Sequence, residues 1–138
     1  MAAIRPLASG DFEAVRRLWT ETEGLGRGPG DSLEGLGRFL ARNPGLSLVA
    51  EDGAAIVGVI LCGHDGRRGF IYHLAVAREH RRRGLAAELV RRCLSGLKAE
   101  GLERCLIVVV DGNEGALRFW ESVGWRRRHD LSPLSIDL

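Results

Sequence analysis

Apolar positions divide this chain into stretches of helical spacing and stretches that alternate or run continuously, and the two kinds are interleaved. Residues 3–7 alternate well enough for a short strand. Ser9 or Asp11 then caps a helix whose stripe is Phe12, Val15, Leu18 and Trp19. The glycine-rich segment 24–30 predicts a loop. Beyond it, Asp31 with Glu34 has the form of a capping box for a helix carrying Leu33, Leu36, Phe39 and Leu40, stopped at Asn43-Pro44-Gly45. Two strands, 46–51 and 55–63, follow around Asp52-Gly53, a dipeptide suited to a tight hairpin.

A third strand of that meander is predicted over 70–76, and a long amphipathic helix over 84–100, with Ala86, Leu89, Val90, Cys93, Leu94 and Leu97 on one face. Gly96 inside it costs about 1 kcal/mol relative to alanine. The wholly apolar run 105–110 predicts a strand buried on both faces, 113–123 a last helix closed by Gly124, and the tail from Trp125 a final strand. The fold class expected is α/β (α+β): a mixed central sheet of about six strands with four helices, in one domain spanning residues 1–138.

Composition narrows the function classes. With 20 basic and 18 acidic residues the net charge is +2, which argues against a nucleic-acid coat or a polybasic membrane anchor. Lys98 is the only lysine, so the positive charge is almost wholly arginine, a planar fork suited to phosphate. Cys62, Cys93 and Cys105 lie far apart within apolar stretches and read as free thiols of a reducing compartment. The spacing of Cys and His offers no metal site. No charged leader precedes an apolar core and no 18-residue apolar run occurs, so the expected location is the cytoplasm.

The segment from Leu74 to Val90 carries the chemistry. A strand runs into Arg81, Arg82 and Arg83, then Gly84, Leu85, Ala86 and Ala87 open a helix. Free amides at a helix N-terminus, small residues and the positive end of the helix dipole together make an anion site.

Arg81-x-x-Gly84-x-Ala86 after a strand ending Leu74-Ala75-Val76 resembles the acetyl-CoA-binding motif of the GNAT N-acetyltransferase superfamily. Asn113, Ala116, Trp120, Gly124 and Trp125 resemble its second block, with Trp where Tyr is usual. The wider stretch is similar to small single-domain bacterial members such as the YpeA-like acetyltransferases. The resemblance implies acetyl-CoA as co-substrate, with no metal, bound in a cleft where two central strands splay. It places the pyrophosphate on backbone amides from Arg82 to Ala87 and the pantetheine arm along Leu74, Ala75 and Val76. The Leu74 amide would polarise the thioester oxygen, and Asn113 and Trp120 would line the cofactor side.

Two positions depart from the pattern. Trp120 cannot replace a tyrosine acid, and Val108 stands where ribosomal-protein N-terminal acetylases carry a glutamate base, which weakens a peptide N-terminus as acceptor. Tyr72 and His73 are the substitute proton handlers. Regular strand alternation would send them to opposite faces. The expected activity is transfer of acetyl to a primary amine by direct attack in a ternary complex; the alternative is a catalytically weak acyl-CoA-binding or sensing module. The acceptor carries no readable motif, and a monomer and a homodimer are both compatible with the sequence.

Overall fold

The computed structural model describes residues 2–138. Five strands form one sheet in the order β1-β2-β3-β4-β5: β1 Ala3–Pro6, β2 Leu48–Asp52, β3 Ala55–His64, β4 Gly69–Val76 and β5 Cys105–Leu106. The first three pairings are antiparallel and β4 with β5 is parallel, because a helix crosses over between them. The helices are α1 Phe12–Thr20, α2 Leu33–Arg42, α3 Leu85–Ala99 and α4 Glu114–Ser122.

Each face of the sheet is covered by one pair of helices. Val15, Leu18, Trp19 and Leu36 from α1 and α2 pack on Val49, Val59, Leu61 and Ala75. Leu89, Val90, Cys93 and Leu97 of α3, with Trp120 of α4, pack on Leu48, Ile60, Cys62, Ile71 and Val76. Two glycines let α3 approach closely. A Cβ at Gly58 would stand 3.2 Å from Leu89 Cδ1, and one at Gly96 would stand 3.0 Å from Leu46 Cδ2. The helix-propensity cost at Gly96 is thus the cost of close packing. Leu89 is fully buried at the base of the α3 N-terminus. Leu89→Ala is expected to destabilise the fold by about 2–5 kcal/mol, read as a lower urea midpoint at unchanged slope.

The buried side chains of Ser47 and Asn43 are paired across elements. Ser47 Oγ accepts from Cys62 N at 2.9 Å, and Asn43 Oδ1 accepts from His64 N at 2.9 Å. Arg5 ties β1 to its surroundings, donating to Asp11 at 2.8 Å and to Glu51 at 2.6 Å.

Four expectations need correction. The sheet has five strands, not six, since the chain from residue 126 onward forms no ladder. The continuous apolar run 105–110 is a strand only at Cys105–Leu106. Ile107 and Val109 reach the α3/α4 core, whereas Val108 is 72% exposed, because the α1/α2 layer does not extend over that end of the sheet. With β5 ended, the tail has no edge to join, and Leu134 and Ile136 stand in solvent. The third correction concerns α2. Its cap is Ser32, whose Oγ accepts from Gly35 N at 3.0 Å, and Asp31 is engaged elsewhere. The fourth lies in β4 and shapes the site described next.

Candidate active site

Strand β4 is interrupted where it matters chemically. Val59 is opposite Ala75 but Leu61 is opposite Tyr72, so His73 and Leu74 together face the single residue Ile60: a β-bulge. His73 has φ +52°, left-handed backbone that histidine adopts only where its surroundings hold it there. The extra residue breaks the alternation. Tyr72 packs edge-to-face on Phe39 of α2 at 6.0 Å, and His73 packs edge-to-face on Trp19 of α1 at 4.9 Å. Both side chains therefore lie on the α1/α2 face, with ring centroids 6.5 Å apart, and not on opposite faces as regular alternation would dictate.

His73 is held from a second direction. Its Nε2 lies 2.8 Å from Asp31 Oδ1, and the other oxygen of that carboxylate accepts from Gly28 N at 2.8 Å. A carboxylate only accepts, so the bridging proton sits on Nε2; when the ring is neutral, Nδ1 carries the lone pair. Both side chains are largely buried, at 14% and 20% exposure. Beside them the indole Nε1 of Trp19 is buried with no partner among the described residues.

The glycine-rich segment carrying Asp31 spans the mouth of a cleft. Asn113 Nδ2 donates to Gly24 O at 3.3 Å, and a Cβ at Gly24 would run into that asparagine. Asn113 Oδ1 meanwhile accepts from Ala116 N at 3.1 Å, so the same side chain caps α4 and pins the loop. The loop thus touches the β5 side through Gly24 and the β4 side through Asp31.

The cleft opens because β4 and β5 pair only at Gly69 with Cys105 and Phe70 with Leu106. Beyond Phe70 the β4 edge faces this gap. Ala77 N donates to Val57 O, so by alternation the amide and carbonyl of Val76 point away from β3 into the gap. Leu74 shares that parity, since it packs with Val76 on the α3 side while Ala75 packs on the other.

At the end of β4 the chain turns through Arg78–His80, Arg81, Arg82, Arg83 and Gly84 into α3. Arg82 has φ +62° and Gly84 φ +80°, two left-handed residues that turn successive amides toward a common side. Glu88 N is the first amide to find a helical carbonyl, that of Gly84, so those of Leu85, Ala86 and Ala87 have none. A Cβ on Gly84 would meet nothing within 4 Å, leaving the space before the turn open. Arg81, Arg82 and Arg83 are all exposed, and Arg81 Nε donates to Val76 O at 2.9 Å, bracing the turn against β4. Ala86 faces the core and not the turn.

Trp120 is 6% exposed, edge-to-face with Phe119 at 5.2 Å and with Trp125 at 5.0 Å, and belongs to the α3/α4 core. Tyr72 is 39% exposed; burial of part of its ring, then the nearby Cys105, pushes its hydroxyl above the ordinary tyrosine range. It stays protonated at neutral pH and remains a donor. Cys93 and Cys105 are poor nucleophiles. A hydrogen bond with Cys62 and then burial push the Cys93 thiol up, and burial pushes Cys105 to about 12. Sequence reasoning missed Asp31, Trp19 and the bulge.

Comparison with known proteins gives the family and the fold. Residues 12–125 match the Acetyltransferase (GNAT) family. An acetyltransferase of Photorhabdus laumondii is 35% identical over 131 residues, covering 95% of this chain and 91% of the relative. The fold matches an aminoglycoside 6'-N-acetyltransferase from Acinetobacter haemolyticus with a TM-score of 0.79 at 17% identity, over 99% of both chains. It also matches a second 6'-N-acetyltransferase, solved with the bisubstrate analogue CoA-S-monomethyl-acetylneamine, with a TM-score of 0.77 at 14% identity over 100% and 99% of the two chains. The chain belongs to the GNAT acetyltransferase family and is an acyltransferase.

Proposed function

We propose that the protein transfers acetyl from acetyl-CoA to a primary amine by direct attack in a ternary complex. One observation carries this reading: the bulge at His73 and Leu74 and the amide-rich turn at residues 82–87 lie at the two ends of one stretch of strand edge that β5 does not cover. That stretch suits an extended amide chain ending in phosphate. The amides of Leu85, Ala86 and Ala87 with the exposed Arg82 and Arg83 receive the pyrophosphate. The Leu74 main chain and the Val76 amide pair with the pantetheine arm as an added strand would, the Val76 carbonyl being held by Arg81. The fold relative that holds a CoA bisubstrate analogue supports the same occupant.

The chemistry follows from what surrounds the bulge. The neutral amine attacks the thioester carbon; a C–N bond forms and the C–S bond breaks. His73 Nδ1 accepts the proton lost by nitrogen, with Asp31 holding the ring. The Leu74 amide stabilises the developing oxyanion, and Tyr72 donates to the departing thiolate, a good enough leaving group to need little help. Asn113 acts by fixing the loop across the cleft, and Trp120 by backing its wall.

The test is release of free CoA from acetyl-CoA across a panel of amines. Amine-dependent release supports the reading. Tight CoA binding without turnover over the whole panel would instead favour an acyl-CoA-sensing role, the reading to which the missing motif tyrosine at Trp120 points.

A further inference from the structure

The stretch between the end of β4 and the start of α3, residues 77–84, holds an unfavourable shape. Arg82 sits at φ +62°, left-handed backbone that costs an arginine energy and persists only where the chain on either side is fixed. On its far side α3 begins, with Glu88 N bonded to Gly84 O at 3.0 Å. On its near side most of the bonding is local: His80 N to Ala77 O, Arg81 N to Arg78 O, and Arg81 Nε to Val76 O. Local bonds fix the shape of a turn, not its place on the fold.

Three contacts tie the stretch to other elements. Ala77 N donates to Val57 O at 2.8 Å, well before Arg82. Arg78 pairs with Glu23 at 2.7 Å, but the side chains are 73% and 81% exposed, a surface pair of the kind that contributes little. The third contact is His80, whose Nε2 lies 2.9 Å from Asp52 Oδ2 at the β2-β3 hairpin. His80 is largely buried, at 20% exposure, and its Nδ1 is buried with no partner among the described residues. Among those residues Asp52 is thus what its ring bonds to. A carboxylate only accepts, so Nε2 donates. That bond holds the Asp52 carboxyl below its ordinary range, and the charge of Arg83 adds to the effect.

We infer that His80 and Asp52 are a positioning pair for the cofactor: they pin the phosphate turn to the β2-β3 hairpin, so that the amides of Leu85, Ala86 and Ala87 are aimed before the pyrophosphate arrives. The inference rests on the acetyl-CoA reading above and adds two residues that act through the turn. A site ordered in advance spares its ligand the cost of ordering it, so a contact remote from the phosphate shows in affinity. Charge alone points the other way. An anion beside a phosphate turn repels a pyrophosphate, so geometry and charge predict opposite signs for the loss of Asp52.

The experiment measures Kd for CoA by calorimetry, and kcat and KM with acetyl-CoA and with S-acetylpantetheine, which has the arm but no phosphates. His80→Phe keeps a ring but removes the donor. It is expected to weaken CoA binding about 10-fold, the order of one hydrogen bond to a charged group, and to raise KM for acetyl-CoA alike. Its kcat at saturating acetyl-CoA and its kcat/KM for S-acetylpantetheine should stay within about two-fold of native. Asp52→Ala should show the same loss, and the double variant no more than either single one. His80→Gln, which keeps a donor, and Asp52→Asn, which keeps an acceptor, should recover most of the affinity.

Tighter CoA binding by Asp52→Ala, native affinity in His80→Phe, additive losses, or equal losses for the two thioesters overturn the inference. If no amine is turned over, the acetyl-transfer reading fails, while a 10-fold loss of CoA affinity recovered by His80→Gln still sustains the pair. A native protein that does not bind CoA sinks both. Should His80→Phe not fold, Asp52→Ala breaks the same bond from the hairpin side and decides the matter.

Discussion

Replacing Gly84 with valine is expected to weaken CoA binding about 100-fold or more while the protein stays folded. Two effects combine. Gly84 has φ +80°, where a β-branched residue is strained by about 1–3 kcal/mol, so the turn shifts to relieve it and the amides of residues 85–87 lose their common aim. The Cβ also projects into space that none of the described residues occupies, which is where the proposed binding mode brings the pyrophosphate. A 100-fold loss corresponds to about 2.8 kcal/mol, within reach of the two together. Because none of the described residues is displaced, the stability cost stays near the backbone strain alone. Calorimetry with CoA reads the first quantity and thermal unfolding the second. Gly84→Ala, which carries less bulk, should fall between. Binding by Gly84→Val within a few-fold of the native protein would place the pyrophosphate elsewhere.

The legible parts of this molecule are those whose cause is local. Asp52-Gly53 marked the hairpin, and Gly53 does sit at φ +62°. The stripe from Ala86 to Leu97 marked α3 to within a residue or two at each end. Glycine at position 84 marked the turn, because a left-handed residue before a helix has a preferred amino acid. What stayed hidden depends on neighbours distant in sequence. Residues 105–110 look the same whether one face is covered or two, and only the extent of the α1/α2 layer decides it. Asp31 and Ser32 both qualify as caps for α2; which one serves is settled by His73, 42 residues away. The bulge itself left no mark, since the strand reads as regular and the left-handed position is filled by histidine instead of glycine or asparagine. Tyr72 and His73 were legible as chemistry but not as a pair sharing one face.

That hidden pairing sets the second large effect. Asp31→Asn is expected to lower kcat about 10²-fold or more, with CoA affinity unchanged, because an amide can donate to Nε2 and favour the wrong tautomer, moving the proton to Nδ1 where the amine's proton must go. His73→Asn removes the base while tolerating φ +52°, so the bulge and the Leu74 amide stay in place. Its loss of kcat should be of similar size, since general base catalysis contributes typically 10²–10⁴-fold. The double variant should be little worse than either single one, as for two residues that act as a unit. A structural role predicts a different pattern. If Asp31 merely anchors the loop through Gly28, its replacement should raise KM for the amine and lower the melting temperature, with kcat preserved. Added imidazole separates the cases further: it should restore part of the rate of a His73→Gly protein, where the ring's space is empty, and do nothing for Asp31→Asn. Full activity in His73→Asn would leave proton removal to solvent and reduce the pair to a clasp between loop and strand.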